Sequence, residues 1–320
     1  MGDKKTNGKG DFLILDAKTF TIKKTLSNAQ IKFGYDFWYQ PRHNILVSSE
    51  WGAPSAWLSG FDPNDVTNGN YGNKLNLYRW DNKEFLQHLD LGADGQLPLE
   101  VRFFHDPDKA VGYVGCALSS SVFMFTKNEN DLWIAKKVIQ VESLSVKDWA
   151  LPQMPGIITD IIISMDDKYL YFSNWIQGDI RQYNIMDPDC PKLVGQIFLG
   201  GCLCKDGVIT VVDDEHSLKL VERPTVQNIP LRGGPQMMQL SLDGRRLYVT
   251  NSLYSQRDKQ FYPDMFKSGS HMLLIDVNTA IGGLTLNQEF FVDFNKEPNG
   301  PVLAHEMRYN GGDCTSDIFL

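Results

Sequence analysis

The chain has 320 residues, 42% of them hydrophobic, and a formal net charge of −8, enough apolar material for a sizeable core. Acidic and basic residues are interspersed without a basic stripe, which argues against nucleic acid as a partner, and no apolar run approaches the roughly 18 residues of a bilayer span. Five cysteines at irregular spacing and no Asn-x-Ser/Thr sequon point to a reducing, cytosolic setting with free thiols.

In chain order, residues 1–10 are Lys- and Gly-rich with no following apolar stretch, and read as a flexible N-terminus rather than a secretory signal. Residues 11–320 read as a single β-propeller domain. The segment 11–26 (DFLILDAKTFTIKKTL) is a strand, a turn and a strand. Then a phrase of strand, Asp- or Pro-bearing turn and strand appears at 37–49 (FWYQPRHNILVSS) and recurs at 101–116, 161–174 and 238–251. The best copies are IIISMDDKYLYFSN and MQLSLDGRRLYVTN. Each phrase is followed by a second hairpin, at 75–91, 122–141, 180–199 and 272–294.

A phrase plus a hairpin makes four strands, which is one propeller blade. The fourth strand is expected at the outer, more polar edge. The chain is therefore all-β, with four complete units and a half unit at 11–26. Long insertions separate the strands at 52–73, 142–156, 200–234 and 253–270, and loops of this length are commonly functional or packed surface. The third insertion offers an extra hairpin from 208–213 and 218–221. A half unit leaves an unpaired edge, which folded proteins avoid. The expectation is a larger ring of which this chain covers about four and a half blades, with the open edge available for oligomerisation.

Several long and chemically unusual strings carry a family resemblance: GYDFWYQPRHN at 34–44, SEW at 49–51, LPLEVR at 97–102, YVGCALSS at 113–120, WALPQMP at 149–155, ITDI at 158–161, FSNW at 172–175, GGPQM at 233–237, DKQFYPD at 258–264, LAHEMRY at 303–309 and GGDCTSD at 311–317. On these the chain resembles the selenium-binding protein and methanethiol oxidase family. The resemblance implies a seven-bladed ring and copper-dependent oxidation of methanethiol to formaldehyde, hydrogen sulfide and hydrogen peroxide. It also implies selenium association and a cytoplasmic location, with nuclear and membrane-peripheral pools. Members of that family are longer at the N-terminus, where their selenium-binding cysteine lies. A non-catalytic selenium-binding or protein-interaction propeller fragment is the alternative.

Copper favours imidazole ligands. His43, His105 and His305 sit in or beside the matched strings and are the candidate metal ligands; turn capping or satisfaction of a buried polar group is the alternative for each. Ala304-His305-Glu306 is the string most suggestive of metal, and Glu306 is the candidate catalytic residue supporting His305. His88, His216 and His271 read as lying in polar turns and are expected to be structural or exposed. Glu50, Glu100 and Asp160 are carboxylates among apolar neighbours. They are candidates to orient a histidine or act as bases, or else form fixed ion pairs, as Arg102 and Arg308 would allow.

Cys202 and Cys204 form a C-x-C pair open to a soft metal or selenium. Cys116 reads as inert core and Cys314 as a thiol near the C-terminus. Phe37, Trp38, Tyr39 and Trp51 would either line a slot for a small apolar thiol or pack between blades. There is no Walker loop, no G-x-S-x-G elbow and no H-E-x-x-H motif.

Overall fold

The computed structural model describes residues 3–10, 12–26, 31–212 and 220–310. His216, Cys314 and the string 311–317 lie outside them. The chain opens with a two-stranded hairpin, β1 (Phe12–Leu15) and β2 (Ile22–Leu26). The first blade is β3 (Gly34–Gln40), β4 (Ile45–Glu50), β5 (Lys74–Arg79) and β6 (Phe85–Asp90), and the second is β7 (Pro98–Phe103), β8 (Val111–Cys116), β9 (Ser121–Lys127) and β10 (Trp133–Gln140). Next come β11 (Leu144–Lys147) and β12 (Gln153–Met154). The third blade is β13 (Ile158–Ile163), β14 (Tyr169–Asn174), β15 (Asp179–Asn184) and β16 (Lys192–Phe198). After β17 (Thr210–Val211), β18 (Thr225–Val226) and β19 (Ile229–Pro230), the fourth blade is β20 (Met238–Leu240), β21 (Arg246–Thr250), β22 (His271–Val277) and β23 (Leu284–Asp293). All four blades are antiparallel meanders in sequence order, as the repeat predicts.

The inner strands differ from half-buried strands in their pattern. β4, β7, β13 and β14 are buried at every position, because each blade packs both faces against neighbours. Separate apolar clusters fill the joints. Val47 and Leu77 meet Val101 and Phe125 between blades one and two. Tyr113 and Met124 meet Ile161 and Phe172 between two and three. Ile162 and Tyr171 meet Leu240 and Ile275 between three and four. Cys116 is in the first of these joints, and burial pushes its thiol up to about 12, so the inert-core reading stands. The fourth strands carry mostly exposed or half-buried residues, as in β16.

The four insertions are packed structure. The first holds α1 (Pro54–Trp57) and α2 (Pro63–Thr67), and the last holds α3 (Ser255–Phe261) and α4 (Pro263–Ser268). Leu144 and Met154 of the second insertion, Leu203 and Ile209 of the third, and Tyr262 and Met265 of the last join Trp175 in a further cluster, while Tyr71 of the first packs with Leu97 and Leu99. Gly234 shows how close this packing is: a Cβ there would stand 1.8 Å from the Trp175 carbonyl oxygen. The extra hairpin expected from 208–213 and 218–221 lies partly outside the described residues. Thr210 and Val211 pair with β11 of the second insertion, and Val221 bridges to Cys204. The β11 strand offers a non-local edge for the first of these, opposite its pairing with β12. Among the described residues no helix is long and apolar enough to cross a membrane.

Candidate functional site

Three inner strands carry the same irregularity near their starts. The register slips between Gly34 and Phe37 in β3, between Pro98 and Val101 in β7, and between Ile158 and Asp160 in β13. In each case two residues oppose one, which is a β-bulge. Bulges re-aim side chains and free backbone groups. The second bulge residue is acidic each time: Asp36, Glu100 and Asp160.

Two of these acids span the joint to the next blade. Asp36 Oδ2 accepts from the Val101 N–H at 2.8 Å, while Ser49 Oγ donates to the Leu99 carbonyl at 2.6 Å. The third and fourth blades repeat this arrangement. Asp160 Oδ2 accepts from the Met238 N–H at 2.6 Å, and Ser173 Oγ donates to the Gln236 carbonyl at 2.7 Å. Between blades two and three the pattern breaks. Asp160 Oδ1 itself takes the Ile161 N–H at 2.7 Å, and Glu100 turns to Arg102, whose Nη2 is 2.8 Å from its Oε2. Arg102 Nη1 reaches Asp36 at 3.1 Å, and the guanidinium lies 4.9 Å from the Trp38 ring centroid.

Asp36 and Glu100 thus share one guanidinium in a largely buried setting, and Asp160 feels its charge without touching it. Burial, and then the charge of Glu100, push the Asp36 and Asp160 carboxyls well above the ordinary carboxylate range, against the pull of Arg102. Burial works against the Arg102 charge, but the surrounding acids more than offset it. Such a cluster holds protons near neutral pH and can give or take one. The sequence reading singled out Glu100 and Asp160 and missed Asp36. The signal lies in strand register: Asp36 and Glu100 directly precede the residue that resumes the inner-strand ladder, and Asp160 is the residue at which it resumes.

The sequence-proposed histidines fall at separate places. His43 and His105 follow the first strands of blades one and two, in the turns to the second strands. His305 lies at the other end of the blades, where its Nδ1 donates to the Ser252 carbonyl at 3.0 Å just past β21. His43 is half-buried with Nε2 lacking a hydrogen-bond partner. His105 is latched to the third blade: Asp167 Oδ1 accepts from its backbone N–H at 2.7 Å and lies 3.1 Å from its Nδ1, and Asp167 Oδ2 accepts from Asp106 N–H at 2.9 Å. Asp167→Ala removes all three contacts and is expected to cost about 2–3 kcal/mol, read as a lowered urea midpoint at unchanged slope.

Among the described residues no group of three or more His, Cys, Asp or Glu is arranged to hold a metal ion. Glu306 is exposed and pairs with Arg308 at 3.3 Å. His88 and His271 are not in turns: they lie in β6 and at the start of β22. Backbone pairing holds both in strands, and each meets a buried amide, Asn76 and Asn251 respectively. Burial holds His271 down at about 4.

Glu50 is buried against Asn76 Nδ2 at 3.3 Å, and burial raises its carboxyl. Cys202 lines a cavity of about 520 Å³ together with Tyr262, Met265 and Arg223. Burial pushes its thiol up to about 11 and raises that of Cys204. Phe37 packs on Phe12, and Tyr39 stacks on Trp80 at 3.9 Å. Trp51 instead stacks on Trp57 at 4.7 Å and meets Tyr35 edge-on at 5.0 Å, beside Asp36.

The chain is similar to known proteins over its whole length. The model of the 56 kDa selenium-binding protein family matches residues 1–320. A methanethiol oxidase from Xenopus tropicalis is 58% identical over 322 residues, covering 100% of this chain and 68% of that protein. The crystal structure of a hypothetical selenium-binding protein from Sulfolobus tokodaii superposes with a TM-score of 0.81 at 32% identity, over 100% of this chain and 67% of that one. The β-propeller domain of Cps50 from Myceliophteria thermophila shares the fold alone, with a TM-score of 0.51 at 10% identity over 91% of this chain and 70% of that one. The blade architecture is thus a β-propeller, and the chain belongs to the 56 kDa selenium-binding protein family.

Proposed function

We propose that this chain is a methanethiol oxidase, converting methanethiol, oxygen and water to formaldehyde, hydrogen sulfide and hydrogen peroxide. The observation that carries this reading is the 58% identity, over the whole of this chain, to a protein named for that activity. The reaction removes protons from sulfur and carbon and delivers protons to sulfide and peroxide. The bulge-borne acids are the groups on this chain suited to that traffic. Asp36 and Asp160 hold protons that ordinary carboxylates would have lost, and Arg102 keeps the cluster's charge in place. Tyr35 and Trp51 present aromatic surface next to Asp36, which suits a small apolar thiol.

The resemblance also implies copper. His305 has the orientation that metal-bound imidazoles use, with Nδ1 committed to a backbone carbonyl. His43 and His105 do not join it, and the described residues supply no further donor set. They do not make a copper site, so no step is assigned to the metal. Selenium association belongs to the family description. A cytoplasmic location is proposed on the free thiols.

The test is turnover of methanethiol by the purified chain, with hydrogen sulfide and peroxide measured together and copper content determined on the same sample. Release of both products supports the reading. A folded chain that stays silent when supplied with copper overturns it in favour of a binding propeller.

A further inference from the structure

The first and last insertions meet at a seam. The Gln260 side chain of α3 accepts from the Phe61 N–H at 2.8 Å and donates to the Phe61 carbonyl at 2.9 Å. Nearly one turn earlier on the same helix stands Arg257, which is only 7% exposed. Its Nη2 donates to the Tyr71 hydroxyl at 3.1 Å. Its guanidinium carbon is 5.8 Å from the ring centroids of both Trp51 and Phe61. Its Nε is buried without a hydrogen-bond partner.

Neighbouring acids on both insertions are committed elsewhere. Asp258 accepts from Ser252 Oγ at 2.6 Å and from the Leu253 N–H at 3.0 Å. Asp62 caps α2 through the Asn64 N–H at 2.9 Å, and Asp65 accepts from Asn70 Nδ2 at 2.8 Å. Among the described residues no carboxylate forms an ion pair with Arg257.

A guanidinium cannot lose its proton at physiological pH. Burying that charge without a counter-charge is costly, and aromatic faces compensate only part of it. The other buried arginine, Arg102, shows the usual solution in this chain, with two carboxylates in contact. We propose that Arg257 is an anion-binding residue and that a small oxyanion, an organic carboxylate or an inorganic oxyanion, seats against it at the seam. Tyr71 supplies a second donor. Its hydroxyl proton now faces the Ala56 carbonyl at a long 3.5 Å and turns to the anion. The Trp51 ring beside the guanidinium stacks on Trp57, which meets Tyr254 edge-on, so the neighbours of the charge on that side are aromatic. Its binding ties the first blade's insertion to the fourth's.

The experiment titrates acetate, formate, sulfate and phosphate separately into the full chain, at ionic strength held by a bulky sulfonate salt. Tryptophan fluorescence, reporting the Trp51–Trp57 stack, and the melting temperature are followed. At least one anion is expected to give a saturable fluorescence change with a rise in melting temperature, and the four arms tell carboxylate from inorganic oxyanion. Arg257→Gln should abolish the saturable response. Tyr71→Phe keeps the charge and should weaken binding about tenfold, the worth of one hydrogen bond to a charged group. No saturable response to any of the four, or the same response in Arg257→Gln, overturns the proposal. Should Arg257→Gln fail to fold, unchanged affinity in Tyr71→Phe overturns it.

Discussion

Arg102→Leu is expected to destabilise the chain by about 3–5 kcal/mol, the usual cost of removing one partner from a buried charge cluster. The side chain is 9% exposed and contacts Asp36 and Glu100 on two neighbouring blades. Without it the acids face each other in a low-dielectric joint, and protonation only partly relieves them. Arg102→Lys keeps a charge but cannot reach both carboxylates as a planar fork, so an intermediate loss is expected. Urea unfolding of the three proteins measures this directly. If the leucine variant were as stable as the parent, the cluster would not be held by its arginine. Methanethiol turnover should fall in both variants, because the proton-holding acids lose their fixed charge.

The second expectation concerns pH. Asp36 and Asp160 bind protons more tightly in the folded chain than unfolded carboxyls do. From about pH 4, the ordinary carboxylate value, up to their raised values, the native state therefore holds more protons than the unfolded one. Stability from this cluster falls as pH rises through that window, by up to about 1.4 kcal/mol per unit for each group. His271 acts in the opposite sense. Its folded value near 4 means the unfolded state takes up the proton first, so stability is lost as pH falls from about 6.5.

The two effects overlap below about pH 6.5, and the acid cluster is read most cleanly above it. Asp36→Asn removes one titrating acid and one like charge beside Glu100, and should flatten the descending limb. Stability measured at half-unit steps from pH 5 to 9 checks this. An equal slope in Asp36→Asn and the parent would place the titration elsewhere.

How much could be read beforehand differed sharply between blade and site. The hairpins at 161–174 and 238–251 are local: apolar runs flank an Asp turn, and the Ser164–Asp166 and Ser241–Asp243 side-chain contacts form within three residues. Glu100 and Arg102 are also two residues apart, and their pairing was among the alternatives the sequence raised. The Glu306–Arg308 pair is of the same kind, although exposed pairs contribute little.

What stayed hidden depends on distant chain. Asp36 takes its meaning from Val101 and Arg102, 65 and 66 residues on. Its role arises from a bulge whose register is set by strand pairing. The histidines illustrate the same limit. His43, His105 and His305 were all ligand candidates in the sequence, His305 foremost, yet their places relative to the strand ends separate them.

The sequence by itself determined the repeating four-strand unit, its four copies and the preceding hairpin, because alternating apolar strands and Asp turns act over a few residues. Only the tertiary structure decided which acids contact Arg102, that β17 pairs with β11, and that Arg257 is buried beside Trp51 with no ion-pair partner among the described residues. Those outcomes follow from packing between blades and between insertions, where burial and neighbouring charge, rather than local propensity, set the energy of each group.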